Sequence, residues 1–504
     1  MKLSHAAISK LPLSASVDAV ADGNFDRFPP LIIDRCLTDS KSLVTEQTVA
    51  LFTAGCEIHT ETLTMPRRKF GSRPLTVMPL GARALYTALV SCLAPKLSDS
   101  SRDPGKWAAH SAFGLPTDEA TPAEYVVQLD IASCYEYVAH DQLARELVVR
   151  TMDSATVGIL IELLGETFRR PIGLPQMMDS SDLLADAYLE SIERSLIRSG
   201  FEISRYADDF RVLASDWGTA NDAIEEAAEA ARGLGLVLST EKTTIVKAST
   251  LAREETERTA YLTEKFNKAT DDLTEIEAMM SGYDDFDFVE IAPDFGVAIA
   301  EALRRILLEW HADPEDAPRE AVALINPALH ILESSDPRLS DELLGSIVFY
   351  YPQALQTVAR YVAARREIGE NWETIAALSR MGRQSPWAKI WLFEMSNTQL
   401  GQGSPCTSDV LAWARFQLED KHEVVRAEAA WFLARCRMLK DDKLAQLYAR
   451  ASSISRPAIA AAFGCQGGDA ASRLMGAMKS DSSLMENAFE WGARGGVPQA
   501  PAND

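Results

Sequence analysis

Hydrophobic and polar positions divide the chain into two textures. Up to residue 250, short apolar runs alternate with helical segments. Tyr125-Val126-Val127-Gln128-Leu129-Asp130-Ile131 is apolar at most positions and predicts a mostly buried strand. Phe201 to Ser215 alternates apolar and polar on both sides of Ala207-Asp208-Asp209, which predicts a hairpin turned at a polar tip. Between Gly218 and Gly233 an Ala- and Glu-rich run ends in glycine, so a helix stops there. Leu236-Val237-Leu238 predicts a further strand. Residues 1–250 therefore read as an α+β domain.

Beyond residue 250 the strand signals nearly vanish. Residues 291–494 carry apolar positions at helical spacing, for example Val425, Ala429, Phe432 and Cys436, broken by Pro, Gly, Ser and Asp. An all-α domain is expected there, built as stacked helical hairpins or as a plain bundle. Lys421 to Cys436 (KHEVVRAEAAWFLARC) resembles a HEAT-type helix, although no strict period is visible. The tail, residues 495–504, is rich in Gly, Pro and Ala and is expected to be disordered.

Composition narrows the function classes. A chain of 504 residues suits two or three domains, and 47% hydrophobic residues make it globular. Its 50 Lys and Arg face 73 Asp and Glu, a net charge of −23. Such acidity argues against general electrostatic binding to nucleic acid, which Lys and Arg drive by displacing counterions. No apolar run reaches the roughly 18 residues of a membrane span, and the amino terminus lacks a secretory pattern. The seven cysteines are scattered without a CxxC pair, so a zinc site is not expected and a reducing cytoplasm is.

Candidate chemistry gathers between residues 67 and 247. Asp130 ends a hydrophobic strand, and Asp208-Asp209 sits at the hairpin tip 78 residues later. Adjacent carboxylates repel one another, and a divalent cation offsets that repulsion. Oxygen ligands with no Cys or His beside them favour magnesium, or manganese, over zinc. Two such ions about 4 Å apart can activate a hydroxyl and stabilise a leaving pyrophosphate. Asp-Asp is also common in solvated turns, so the pair gains meaning only from its order and context.

That context is a family resemblance. LDIASCYEYV (Leu129 to Val138), GLPQ (Gly173 to Gln176), YADD (Tyr206 to Asp209) and GLGLVLSTEKT (Gly233 to Thr243) resemble, in order, palm motifs A to D of reverse transcriptases. Upstream, Lys69 to Leu89 resembles the fingers segment. The resemblance implies a right-hand polymerase palm and fingers over residues 1–250. Asp130 and Asp208 become the principal metal ligands, with Asp209 weaker or farther out and Ile131 a further ligand position. Tyr135 falls at the steric gate that excludes a 2′-hydroxyl, so deoxynucleoside triphosphates are the implied substrate. Gln176 falls near the incoming sugar, Lys242 where a lysine protonates or orients pyrophosphate, and Lys69 and Arg73 where the triphosphate is held. Residues 61–83 support the last point, with Arg67, Arg68, Lys69, Arg73 and Arg83 against Glu61 alone, a local +4.

Two departures stand out. Met177 occupies the position after Pro-Gln where the family commonly has glycine. Residues 251–290, where a duplex-gripping thumb should begin, hold four basic and 12 acidic residues, a net of −8. We expect an acidic connector and no conventional thumb. A palm followed by a long helical domain is similar to the bacterial abortive-infection (Abi) reverse transcriptases of the AbiK type. That resemblance implies phage defence, untemplated polymerisation from a protein primer, single-stranded DNA attached to the chain, and a homo-oligomer (trimer or hexamer) with the helical repeats helping to enclose the palm. The family primes from a tyrosine, yet the first 85 residues contain none; Tyr283, Tyr350 and Tyr351 are examples elsewhere. An RNA-templated reverse transcriptase of the retron or intron type is the alternative. A third reading is a non-enzymatic helical-repeat protein carrying a degenerate palm.

Overall fold

The computed structural model describes residues 1–21, 27–67, 71–98, 104–116, 123–266, 297–365, 368–403, 405–468, 475–478 and 480–497. Lys69, Tyr283, most of the acidic connector and residues 498–504 of the tail lie outside them. Six strands are described: β1 Glu61–Pro66, β2 Ser72–Val77, β3 Tyr125–Asp130, β4 Ile203–Tyr206, β5 Asp209–Ala214 and β6 Thr244–Lys247. The first two pair as an antiparallel ribbon, and the other four form an antiparallel sheet in the order β4–β5–β3–β6. The helices that matter for the site are α1 Leu80–Leu93, α2 Pro104–Ala112, α3 Asp179–Arg198, α4 Trp217–Gly233 and α5 Ala248–Phe266.

β3 buries Val126, Val127 and Leu129, while Gln128 between them stays half-buried. β5 alternates instead, burying Phe210, Val212 and Ala214. Helix α4 starts where Asp216 accepts the Thr219 N–H at 2.9 Å. Its stripe of Ala220, Ala223, Ala227 and Ala231 is fully buried, and small side chains let the helix lie close on β3 and β5.

One expected strand is absent. Leu236-Val237-Leu238 makes only a single bridge, Ile131 with Leu238, and Val237 is 64% exposed. The fourth strand is β6, which pairs Thr244–Lys247 with the first half of β3. Pairing lapses through residues 239–243 after the Leu238 bridge and resumes at Thr244, from which the chain runs back along β3 from Gln128 to Tyr125.

No strand occurs among the described residues after Lys247. Helices there pack on alternate neighbours, Val297–Ala312 on Ile325–Leu332, then Leu355–Ala364, then α6 Pro386–Gly401, α7 Glu423–Arg435 and Arg456–Gln466. This helical region is fastened to the beginning of the chain. The Trp387 and Trp391 indoles donate to the Arg27 carbonyl at 2.6 and 3.0 Å. The Glu61 carboxylate, at the start of β1, accepts from the Glu423 and Val424 N–H groups at 2.8 and 3.0 Å. A carboxylate at a helix N-terminus satisfies orphan donors and complements the helix dipole. Buried Glu428 accepts the Ile32 N–H at 2.7 Å. Among the described residues no helix is long and apolar enough to cross a membrane.

Candidate active site

Strand pairing alone brings the three carboxylates together. Asp130 at the end of β3 stands opposite Asp209 at the start of β5. The hairpin register Tyr206 to Asp209 leaves Ala207 and Asp208 as a two-residue turn. Ala207 has φ +54°, the left-handed conformation that two-residue hairpin turns use and that costs a non-glycine residue about 1–2 kcal/mol. Asp130, Asp208 and Asp209 each offer a carboxylate oxygen within 4.8 Å of the others. Lys242 donates from its ammonium to Asp130 Oδ1 at 2.7 Å, its side chain 63% exposed and that of Asp130 only 7%.

The electrostatics follow from this crowding. Burial raises the Asp130 carboxyl, the Asp208 charge raises it further, and Lys242 pulls it back. Asp209 is pushed up to about 8, first by burial and then by its two neighbours. Two buried carboxyls this crowded favour sharing one proton between them. A cation would replace that proton. The Lys242 ammonium on Asp130 shows the pocket already accepting positive charge, and the all-oxygen donor set suits magnesium or manganese.

A second group lies beside this one. The Tyr135 hydroxyl donates to Asp182 in the first turn of α3, and the Leu174 N–H donates to the Tyr135 carbonyl at 2.7 Å. The Gly173–Gln176 segment is thereby stitched to the segment after β3, with Gln176 buried. Met177 takes φ +61°, so the position where the family commonly carries glycine does require left-handed backbone here. Near the hairpin, Trp107 on α2 packs edge-on against Tyr206 with centroids 5.2 Å apart, and His110 shares a hydrogen bond with Ser204 at 2.9 Å. Burial and Arg211 lower His110 to about 4, which keeps it neutral.

One expectation changes, and the structure locates the others. Ile131 buries its side chain in the core, so the ligand position implied there falls to its backbone carbonyl. Arg83 is buried on α1 in an ion pair with Asp34 and is no part of an exposed basic patch. A charge count along the sequence cannot see this, because Asp34 lies 49 residues away. Tyr350 packs edge-on and Tyr351 tilted against Trp310 in the helical region. Arg73 stands half-buried on β2, opposite Met65. Asp182 and the Trp107–His110 pair escaped the sequence reading, since neither carries a spacing signal.

Comparison with known proteins agrees with this geometry. Residues 66–266 match the family model described as reverse transcriptase (RNA-dependent DNA polymerase). That match indicates a nucleotidyltransferase domain of the RNA-directed DNA polymerase-like kind over residues 66–266. No curated protein matches it. Among solved structures, telomerase from Candida albicans in complex with a fragment of telomeric RNA is similar at 11% identity and a TM-score of 0.29. That alignment covers 68% of this chain, and the chain spans 64% of the telomerase.

Proposed function

We propose that this chain is a DNA polymerase of abortive-infection phage defence, adding deoxynucleotides without a template from a protein primer. Polymerase chemistry is carried by the convergence of Asp130, Asp208 and Asp209 with Lys242 on Asp130. Each addition forms a bond from a hydroxyl oxygen to the α-phosphorus and breaks the bond to pyrophosphate. Bound magnesium or manganese supplies activation of the hydroxyl and neutralisation of the leaving charge. Asp130 and Asp208 would hold the ions, and Asp209 would assist. Lys242 gives a proton to, or orients, the pyrophosphate. Tyr135, its hydroxyl fixed by Asp182, places a ring where a 2′-hydroxyl would be refused. Gln176 and Arg73, with Lys69, bind the nucleotide.

Template independence is supported by helix α5, which follows the palm. Its basic residues are all engaged by carboxylates: Arg253 with Glu257 at 3.6 Å, Arg258 with Glu255 at 2.5 Å and Lys265 with Glu309 at 2.6 Å. A helix whose cations are already neutralised offers little to a duplex backbone. We assign residues 1–250 to fingers and palm, 251–290 to the connector and 291–494 to HEAT-like pairs, a reading that the alternate packing of the helices supports. A cytoplasmic homo-oligomer completes the proposal.

The alternative is an RNA-templated enzyme of the retron or intron type, favoured by the description of the matching family. Purified protein with magnesium and single deoxynucleotides, and no added template, separates the two. Product that stays on the chain through boiling in detergent supports self-priming. Product that appears only with complementary RNA defeats it.

A further inference from the structure

A half-buried arginine beside the Ala207–Asp208 turn has no part in that chemistry. Arg205, on β4, has a side chain only 12% exposed. Its Nη1 donates to Asp186 Oδ1 at 2.8 Å and to the Ala207 carbonyl at 3.0 Å, while Nε donates to Glu193 Oε2 at 3.0 Å. Asp186 and Glu193 are two turns apart on one face of α3, and the guanidinium bridges them. Its remaining reach goes to the backbone of the turn.

The residue it touches there is Ala207, the one in left-handed backbone immediately before Asp208. Such a conformation in alanine persists only when its surroundings hold it. An anchor for β4 alone would need only the two carboxylates. The third bond, to the carbonyl of the strained residue, is what an anchor would not require. A planar fork can serve three acceptors in fixed directions; an ammonium on a flexible stem cannot.

We propose that Arg205 is a positioning residue. It holds the Ala207–Asp208 turn in the shape that brings the Asp208 carboxylate to Asp130 and Asp209, and it locks that turn to the helix that follows Gln176. The inference rests on the polymerase reading for its consequence in rate, but its consequence for cation binding is independent of that reading. α3 and the turn act as one body through Arg205, so any shift of the segment that meets the nucleotide is passed to Asp208.

The test compares the full chain with R205M, R205K, R205M/A207G and R205K/A207G. Manganese binding without nucleotide is followed by electron paramagnetic resonance, alongside kcat, KM and melting temperature. R205M should weaken manganese binding at least tenfold and lower kcat, with KM for the deoxynucleotide within twofold. Glycine adopts left-handed backbone freely, so A207G should restore most of the manganese affinity in the R205M background. Restoration by glycine is the outcome a packing role would not give. If R205M does not fold, R205K against R205K/A207G gives the same comparison. Wild-type manganese affinity in R205M, or a loss that glycine does not recover in either background, overturns the proposal. A wild-type protein that shows the expected manganese series yet never polymerises would instead defeat the polymerase reading and leave Arg205 in its role.

Discussion

Lys242 sets its ammonium 2.7 Å from Asp130 Oδ1, so the most buried carboxylate of the cluster is already neutralised by a side chain that is itself largely exposed. Such a lysine both competes with cations for Asp130 and remains free to swing. Lys242→Ala should therefore tighten manganese binding while slowing turnover by roughly a hundredfold, the scale of losing a positioned proton donor. Binding by titration calorimetry and rate by single-turnover incorporation would check the opposite signs.

The carboxylates themselves should be indispensable. Asp130→Asn or Asp208→Asn should lower magnesium-dependent incorporation by about a thousandfold, or several kcal/mol of transition-state stabilisation. Unchanged activity in Asp208→Asn would remove Asp208 from the mechanism.

Asp209 makes the cluster sensitive to pH. Its carboxyl is held near 8 by burial and by its neighbours, well above the value of an unfolded Asp. The folded state thus keeps a proton that the unfolded chain has lost, and this contribution to stability is full at acid pH and disappears as pH rises through about 8. Glu428, also pushed to about 8, adds a contribution of the same sign at the join with the helical region. Magnesium should abolish only the Asp209 part. Melting curves from pH 5 to pH 9 with and without magnesium should converge at low pH and separate at high pH, with the magnesium-loaded protein the more stable.

Discrimination between sugars should depend on two residues. Tyr135→Ala removes the ring, and Asp182→Ala removes the acceptor that fixes it. The first should lower the preference for deoxynucleotides over ribonucleotides by about tenfold or more, and the second should do so less. The ratio of kcat/KM values for the two sugars is the measurement.

The catalytic half was legible wherever sequence and register coincide. β3, the hairpin of β4 and β5, and helix α4 follow from apolar periodicity and caps, and the register of two strands then places Asp130 opposite Asp209 without further help. Leu236-Val237-Leu238 misled because three apolar residues after a glycine look like a strand whether or not a partner is in reach. Arg83 misled because its counter-charge, Asp34, comes from a distant segment. Asp182 and Arg205 were invisible for the same reason, each being defined by a contact and not by a spacing. The join between residues 27–61 and 387–428 links positions almost 400 apart, beyond any local pattern.

The cap that Glu61 places on helix α7 makes the helical half a lever on the ribbon of β1 and β2. Glu61 opens β1, β1 pairs with β2, and β2 carries Arg73. Cutting the chain before residue 386 would leave that strand without its helix and the Arg27 carbonyl without two indole donors. The two halves of the chain thus complete one another's hydrogen bonds. Whatever pulls on the carboxyl-terminal helices tugs, at the Glu61 carboxylate, on the ribbon that carries Arg73.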